Sequence, residues 1–176
     1  SPEERLRLLW DALRITVPNF NIEEINLGLY SQDEITLIIQ IANIYARIKQ
    51  PNNSIDIYRQ LFKYAEKHYH KSLQYAGKYA LIAHNYTKTL FDVGRYDDAI
   101  DIAEQGRKIC VKYAHYQFLP GLLDFLGGCY FYKGELEKCK EYYRVAYCFY
   151  KVTKNDRDRR LLEEAAKERL NLEFPF

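Results

Sequence analysis

Apolar residues recur at intervals of three and four along almost the whole chain. This spacing places them on one face of a helix, and the strict alternation that is typical of strands is nearly absent. A first helix is predicted from Pro2 to about Ile15, because the residue before Pro18 disfavours helical geometry. A short helix and turn are predicted up to Ser31. The pattern therefore predicts an all-α protein.

Three matched helix pairs follow in the sequence. In each pair the first helix is apolar, and the second helix begins one turn before a small residue: Ser54, Ala99 and Cys139. Ser31 and Glu34 form a capping box before the first pair, since each side chain satisfies a free amide at a helix start. One helix pair cannot bury its apolar face alone, so neighbouring pairs must stack into a solenoid. The groove of a solenoid can hold an extended peptide.

Glycines predict the turns inside the second and third pairs. Gly94 and Gly134 can each take the left-handed conformation that ends a helix. Acidic residues follow both glycines, where the dipole of the next helix favours negative charge. The first helix of the second pair is predicted to be longer than the others, from about Lys71 to Phe91, with Leu73 on its packed face.

The last helix has a different character. Asn155 is predicted to cap it, and charged residues cover much of its surface as far as about Leu170. A polar outer face suits the terminal helix of a solenoid. Basic and acidic residues alternate from Lys154 to Arg160, which is more typical of a solvated helix start than of a strip that contacts DNA.

The composition excludes several classes of protein. The chain has 26 Lys and Arg against 24 Asp and Glu, so its formal charge is only +2 and gives no electrostatic footprint for nucleic acid or an anionic membrane. No apolar run approaches the roughly 20 residues that span a bilayer, and no secretory signal is visible. No metal or cofactor is predicted. The cysteines lie in helical patterns without paired spacing, which predicts reduced core residues of a cytoplasmic protein: Cys110, Cys129, Cys139 and Cys148.

Two features concern the extent of the chain. Methionine is absent, and the first four residues, from Ser1 to Glu4, have the cap, the first-turn proline and the early acids of a helix start. We expect a fragment of a longer protein, or a chain from which residues are missing.

The three pairs resemble the tetratricopeptide repeat, which is defined by residue sizes at fixed offsets. Ser54 to Ala99 spans 45 residues and Ala99 to Cys139 spans 40, against about 34 in the usual repeat. The first pair matches least well, because Lys49 stands at the position of the turn glycine. The third pair matches best, through Leu126, Gly127, Tyr130, Gly134, Cys139, Tyr143 and Ala146.

Longer units of this kind look like the peptide-sensing regulators of Gram-positive bacteria, the Rgg, Rap, NprR, PlcR and PrgX group. Three strings resemble that group: Leu13–Phe20 before the first pair, Asn85-Tyr86 ahead of the turn at Gly94, and Leu119-Pro120 in the third pair. The resemblance covers nearly the whole chain. It implies a right-handed α-solenoid of tetratricopeptide-like hairpins with about 7–9 helices.

The resemblance also implies a division of the chain. N-terminal helices occupy residues 1–30, three repeat units occupy 31–69, 70–114 and 115–153, and a capping helix occupies 154–176. Regulators of this group usually have an N-terminal helix-turn-helix of the Xre type. Nothing in Ser1–Ile15 can supply one, so DNA binding is expected of a domain that this chain lacks.

Fixed positions on the first helices line the groove of a tetratricopeptide array. A side-chain amide both donates and accepts, so Asn43 and Asn85 can each pair with one peptide unit of an extended ligand. Arg47 and Lys88 could take a ligand carboxylate, and Asp124 a basic residue or an amino terminus. The predicted peptide-binding residues are Asn43, Arg47, His84, Asn85, Lys88, Asp124, Gly128 and Tyr132.

Each of these residues also has a simpler interpretation. The asparagines could bridge helices or be solvated, and the charged residues could be ordinary surface groups. His84 is expected to be packed and hydrogen-bonded rather than catalytic. Gly128 is expected to permit tight helix crossing rather than close approach of a ligand. His68 and His70 are two residues apart, so they point away from each other on a helix and make a poor metal pair.

The predicted function is peptide sensing in a cytoplasmic, Xre-family transcription regulator of the quorum-sensing kind. By resemblance, a short signalling peptide in the groove would change the superhelix or a homodimer, and so the DNA binding of the missing domain. The dimer is expected through the C-terminal helices, where Phe174 and Phe176 are expected to expose aromatic area.

Two alternatives stay open. The first is a constitutive protein–protein interaction scaffold that holds another protein's tail without switching. The second is the phosphatase branch of the same group, which needs an additional N-terminal helical bundle for which the chain has no room. No phosphate loop, metal cluster or nucleophile arrangement is visible, so an enzyme is not predicted. The fragment itself is expected to contact neither nucleic acid nor membrane.

Overall fold

A computed structural model describes residues 1–175, and all regular secondary structure in that range is helical. Two 3-10 helices, Ile22–Leu27 and Leu73–Tyr75, precede the second and fourth α-helices. The eight α-helices of the described residues are α1 (Pro2–Thr16), α2 (Gln32–Arg47), α3 (Pro51–His68), α4 (Ala76–Asp92), α5 (Tyr96–Lys112), α6 (Leu119–Tyr132), α7 (Leu136–Val152) and α8 (Asp156–Leu170).

The helices form hairpins that stack along the chain. The pairs α2 with α3, α4 with α5, and α6 with α7 are joined by short turns at 48–50, 93–95 and 133–135. Each hairpin packs on the next through α3 with α4 and α5 with α6, and α8 packs on α7. Because α2 also contacts α4, and α4 contacts α6, the first helices share one face. This face is called the groove face below, and the fold is the predicted tetratricopeptide-like solenoid.

The same left-handed turn follows the first helix of every hairpin. Gly94 and Gly134 both have φ of 78°, as the sequence predicts. Lys49 has φ of 61° at the equivalent position of the first hairpin. A side chain in this region costs about 1 kcal/mol relative to glycine. The backbone geometry is therefore repeated even where the glycine signal is missing.

Small residues allow the two helices of a hairpin to cross closely. Ser54, Ala99 and Cys139 are fully buried at these crossings. A Cβ atom on Gly127 would lie only 2.3 Å from Cδ1 of Tyr143. The absence of a side chain at position 127 therefore leaves room for the Tyr143 ring between α6 and α7.

The predicted long helix from Lys71 is wrong at its start. Ser72 has extended backbone, with φ −121° and ψ 121°, so helical geometry is interrupted before α4. Leu73 was expected on the packed face, but 68% of it is exposed. Apolar spacing continues through this break, and for that reason it did not reveal the interruption.

Two other predictions for individual side chains need correction. All four cysteines are free, but only three are buried and Cys148 is exposed. The buried positions of α7 run from Cys139 to Tyr150 along one face, and Cys148 points away from that face. Phe174 was expected to expose aromatic area, but its ring stacks on Tyr147 with 4.3 Å between centroids. Phe176, named for the same role, lies outside the described residues.

Candidate functional site

Two cavities adjoin on the groove face, and Lys88 lines both. The amide cavity, of about 320 Å³, lies between α2 and α4 and is lined by Asn43, Ala46, Arg47, Asn85, Lys88, Thr89 and Asp92. The acidic cavity, of about 550 Å³, lies between α4, α6 and α8, and its polar lining residues are His84, Lys88, Gln117, Asp124, Tyr150, Asn155 and Asp158. The lining residues of these two cavities, which come from three hairpins and α8, are called the track below.

The side-chain amide of Asn43 accepts a hydrogen bond from a buried tyrosine of α3. The hydroxyl of Tyr58 donates a hydrogen bond of 2.7 Å to Oδ1 of Asn43. Tyr58 is fully buried, and burial raises the pKa of its hydroxyl. The hydroxyl therefore remains a proton donor at neutral pH. With its oxygen occupied in this way, Asn43 keeps its two N–H donors for another partner.

Asn85 lies beside a packed histidine. Nδ1 of His84 is 3.3 Å from Oδ1 of Asn85. The His84 ring contacts Phe118 and Phe125 with centroid distances of 5.7 and 5.5 Å. Burial lowers the pKa of His84, so its ring is neutral at neutral pH. A Cβ atom on Gly121 would lie 2.5 Å from Nε2, so that glycine leaves room for the ring.

The cations of the amide cavity are at its rim. Arg47 is exposed, and Lys88 makes an ion pair with Asp92 one turn further along α4. An exposed pair at this spacing stabilises a helix by only about 0.3–0.5 kcal/mol. Lys88 can therefore exchange Asp92 for a ligand carboxylate with little loss of stability.

Asp124 is a carboxylate of the track without a hydrogen bond or an ion pair to any described residue. It is partly buried on α6, and none of the hydrogen bonds or ion pairs found among residues 1–175 involves it. Burial raises the pKa of Asp124 to about 7; the positive charge of Arg169 opposes this shift, and the nearby carboxylate of Asp158 adds to it. Asp158 accepts a hydrogen bond of 2.8 Å from Nδ2 of Asn155.

The two remaining predicted residues, Gly128 and Tyr132, lie against an arginine of α8. The Arg169 guanidinium carbon is 5.8, 5.9 and 5.5 Å from the ring centroids of Phe91, Phe131 and Tyr132. A Cβ atom on Gly128 would lie 2.9 Å from the Phe91 ring and 3.2 Å from Nη1 of Arg169. Gly128 thus makes room for both groups. These three rings with Gly128 are called the aromatic box, and neither groove cavity is lined by Gly128 or Tyr132.

The sequence-based prediction missed Asp158 and Arg169 because α8 was interpreted only as a capping helix. A signal for them existed in the spacing. Asp158 and Arg169 lie near the same face of α8 as Leu162 and Ala166, which are both fully buried. A helix whose apolar stripe packs on the solenoid brings the polar residues of that stripe to the groove face.

Two classes of feature were not found in the described part of the chain. No group of three or more His, Cys, Asp or Glu within residues 1–175 could hold a metal ion. Within the same residues, every helix is too short or too polar to cross a membrane.

Comparison with known proteins gives a family match and two similar structures. Residues 13–170 match the model of the RNPP family C-terminal domain. Bacillus thuringiensis PlcR in its apo form is similar with a TM-score of 0.65 and 20% identity, over 92% of this chain and 64% of PlcR. PlcR from the same organism, in complex with the peptide PapR7 and DNA, is similar with a TM-score of 0.66 and 19% identity. This match covers 92% of this chain and 61% of PlcR. This chain therefore spans less than two thirds of PlcR. No curated protein matches it by sequence.

Proposed function

The chain belongs to the RNPP family through its C-terminal domain, and we propose that it is a peptide-sensing domain of a bacterial transcription regulator. The observation on which this rests is that Asn43 and Asn85, one hairpin apart, line the same cavity of the groove face. Two amides at this spacing can each pair with a peptide unit of one extended ligand, whatever its side chains. The complex of PlcR with PapR7 and DNA, whose fold is similar, is consistent with this function.

The groove favours an extended, short ligand over a folded one. The amide cavity and the acidic cavity have volumes of about 320 and 550 Å³, and Lys88 lines both. Asn43 is oriented by the buried Tyr58 hydroxyl, so its donors are already positioned before a ligand binds. Preorganisation of this kind reduces the entropy lost on binding.

Sensing requires that the peptide bind one arrangement of the protein better than another. In the proposed mechanism the ligand contacts α2, α4, α6 and α8 together, so it stabilises one relative position of the three hairpins. The proposal places the regulator in the cytoplasm, with DNA contacted by a separate domain and a homodimer as the responding assembly. It assigns the groove a binding role and no catalytic one.

The direct test is calorimetric titration of the purified domain with a library of short hydrophobic peptides. We expect micromolar or tighter binding that is lost in both Asn43→Ala and Asn85→Ala. The matched control is Asn52→Ala, because Asn52 is exposed on α3, away from the groove face. All three variants should keep the helical circular dichroism of the parent protein.

The same titration addresses the competing function. A constitutive scaffold would bind a larger partner without any change in oligomeric state. Absence of peptide binding, or binding that is equal in the parent and in both groove variants, would contradict peptide sensing. In that case a scaffold that recognises a folded partner becomes the better hypothesis.

A further inference from the structure

The acidic cavity brings together two carboxylates from helices that are far apart in the sequence. Asp124 is in the first half of α6, and Asp158 is in the first turn of α8. Both line the same cavity of about 550 Å³. They are close enough that the charge of Asp158 affects the ionisation of Asp124. Two carboxylates in one cavity repel each other unless one of them is protonated or a cation lies between them.

Among the described residues, the charge of Arg169 reaches Asp124 and Lys88 lines the cavity, but neither cation forms an ion pair with Asp124 or Asp158. Lys88, on the α4 wall of the cavity, is paired with Asp92. The guanidinium of Arg169 donates a hydrogen bond to the hydroxyl of Tyr143 and lies over the rings of the aromatic box. No ion pair joins either cation to Asp124 within the described chain. Asp124 therefore faces the cavity with both carboxylate oxygens available.

The rest of the cavity wall suits a small cation with an apolar neighbour. Phe118, Phe125, Pro120 and Leu161 line it beside the carboxylates. Apolar walls exclude water, and this strengthens the attraction between a carboxylate and an incoming cation. The faces of the phenylalanine rings can also attract a cation. A primary ammonium with an apolar residue next to it has this chemistry.

We propose that the acidic cavity holds a primary ammonium group of the bound peptide, between Asp124 and Asp158. The proposal rests on the proposed function and deepens it, because it gives the ligand a chemical requirement and a direction. A terminal ammonium in this cavity places the start of the peptide over α6 and α8. The chain then runs past Lys88 to Asn85 and Asn43, and its carboxylate end comes to the side of Arg47.

This arrangement makes binding depend on pH. The groups that face Asp124 are His84 and Lys88 from α4, Cys139, Tyr143 and Tyr150 from α7, and Asp158 and Arg169 from α8. Asp124 must lose its proton to pair with an ammonium, and its pKa without a ligand is about 7. A terminal amine loses its own proton near pH 8. The affinity should therefore be greatest between these two values and weaken on both sides.

The test compares three forms of one lysine-free peptide taken from the binding library. The first has a free amino terminus, the second is acetylated, and the third is acetylated but begins with an added lysine. If the α-amino group is bound, acetylation lowers the affinity by about tenfold or more. If a side-chain ammonium serves equally, the third form regains that affinity.

The protein variants locate the effect. In Asp124→Asn, free and acetylated peptides should bind within about twofold of each other. In Asp158→Asn the difference in affinity between the two peptides should also shrink, but by less. Asp101→Asn is the matched control, since Asp101 is exposed on α5, and it should keep the full discrimination. Equal affinity of the free and acetylated forms for the parent protein would overturn the proposal. So would discrimination that persists in Asp124→Asn.

Failure of this proposal differs from failure of the peptide-sensing function. If peptides bind through Asn43 and Asn85 but ignore acetylation, only the ammonium site is wrong. If no peptide in the library binds, both proposals are wrong. Thermal unfolding of each variant in parallel shows whether a lost affinity comes from a lost fold.

Discussion

Nη1 of Arg169 donates a hydrogen bond to the hydroxyl of Tyr143, and this bond connects α8 to α7 in the third hairpin. Tyr143 is fully buried between α6 and α7. The guanidinium of Arg169 also covers the aromatic box on the groove face. One side chain of α8 thus joins the core of the hairpin to the surface where a ligand is proposed to bind. This link positions Asp158, on the same helix, beside the acidic cavity.

Arg169→Ala should loosen the last helix. The substitution removes a hydrogen bond and three cation–π contacts, and we expect unfolding free energy to fall by about 1–3 kcal/mol. Amide hydrogen exchange should become faster in α8 before it does so in α2–α5. Arg157→Ala is the control, because Arg157 is exposed on the same helix. Equal melting temperatures for the two variants would show that Arg169 does not anchor α8.

Gly127→Ala should destabilise the third hairpin through overpacking. A Cβ atom at position 127 would lie 2.3 and 2.5 Å from two carbons of the Tyr143 ring, and 3.3 Å from the Cys139 carbonyl oxygen. The expected loss is about 2–3 kcal/mol by chemical denaturation. For Gly134→Ala, where φ is 78° and nothing lies within 4 Å, a loss of about 1 kcal/mol from backbone strain is expected.

The comparison of these two glycine variants separates packing from backbone conformation. If Gly127→Ala is no more harmful than Gly134→Ala, then α6 and α7 separate easily and the close crossing is not needed. A smaller side chain at position 143 should recover part of the loss caused by Gly127→Ala, because it removes the ring from the clash.

Asp124→Asn should stabilise the protein more at high pH than at low pH. Burial raises the pKa of Asp124 to about 7, whereas an aspartate in an unfolded chain has a pKa of about 3.9. Between these values the folded state binds more protons than the unfolded state. The stability that this group contributes is therefore complete below about pH 4 and is lost as the pH rises through 7.

Asparagine does not titrate, so the difference between variant and parent reports this effect alone. We expect the advantage of Asp124→Asn in unfolding free energy to grow by about 2–3 kcal/mol between pH 5 and pH 8. A difference that is independent of pH would show that burial does not raise the pKa of Asp124.

Cysteine reactivity should be confined to one position. Burial raises the pKa of Cys110 and of Cys139 to about 11, and that of Cys129 to about 12, so these thiols stay protonated at neutral pH. Cys148 is exposed. We expect iodoacetamide to add a single group to the native protein, at Cys148, as measured by mass spectrometry of peptides. Cys148→Ser should remain unlabelled, and denaturation should make all other cysteines reactive. Labelling of Cys129 in the native protein would contradict its burial.

The helices themselves could be predicted because their causes are local. The three- and four-residue spacing, the capping box of Ser31 with Glu34, and the glycine turns at 94 and 134 each depend on residues within one or two turns. The stacking of the pairs follows from the same pattern, since an apolar face must be buried. Positions on the first helices then predicted that Asn43 and Asn85 belong to the groove, and both line the amide cavity.

The tertiary structure alone decided how the polar groups meet. The Tyr58 hydroxyl under Asn43, the shared cavity of Asp124 and Asp158, and Arg169 on the aromatic box all join residues from different helices. Periodicity shows which face of a helix is buried, but not which side chain of another helix lies opposite. That depends on the crossing of each hairpin and the position of α8, which are set by packing of the whole solenoid. The ionisation of Asp124 likewise depends on the tertiary structure, because its pKa is set by burial and by charged residues more than 30 positions away in the chain.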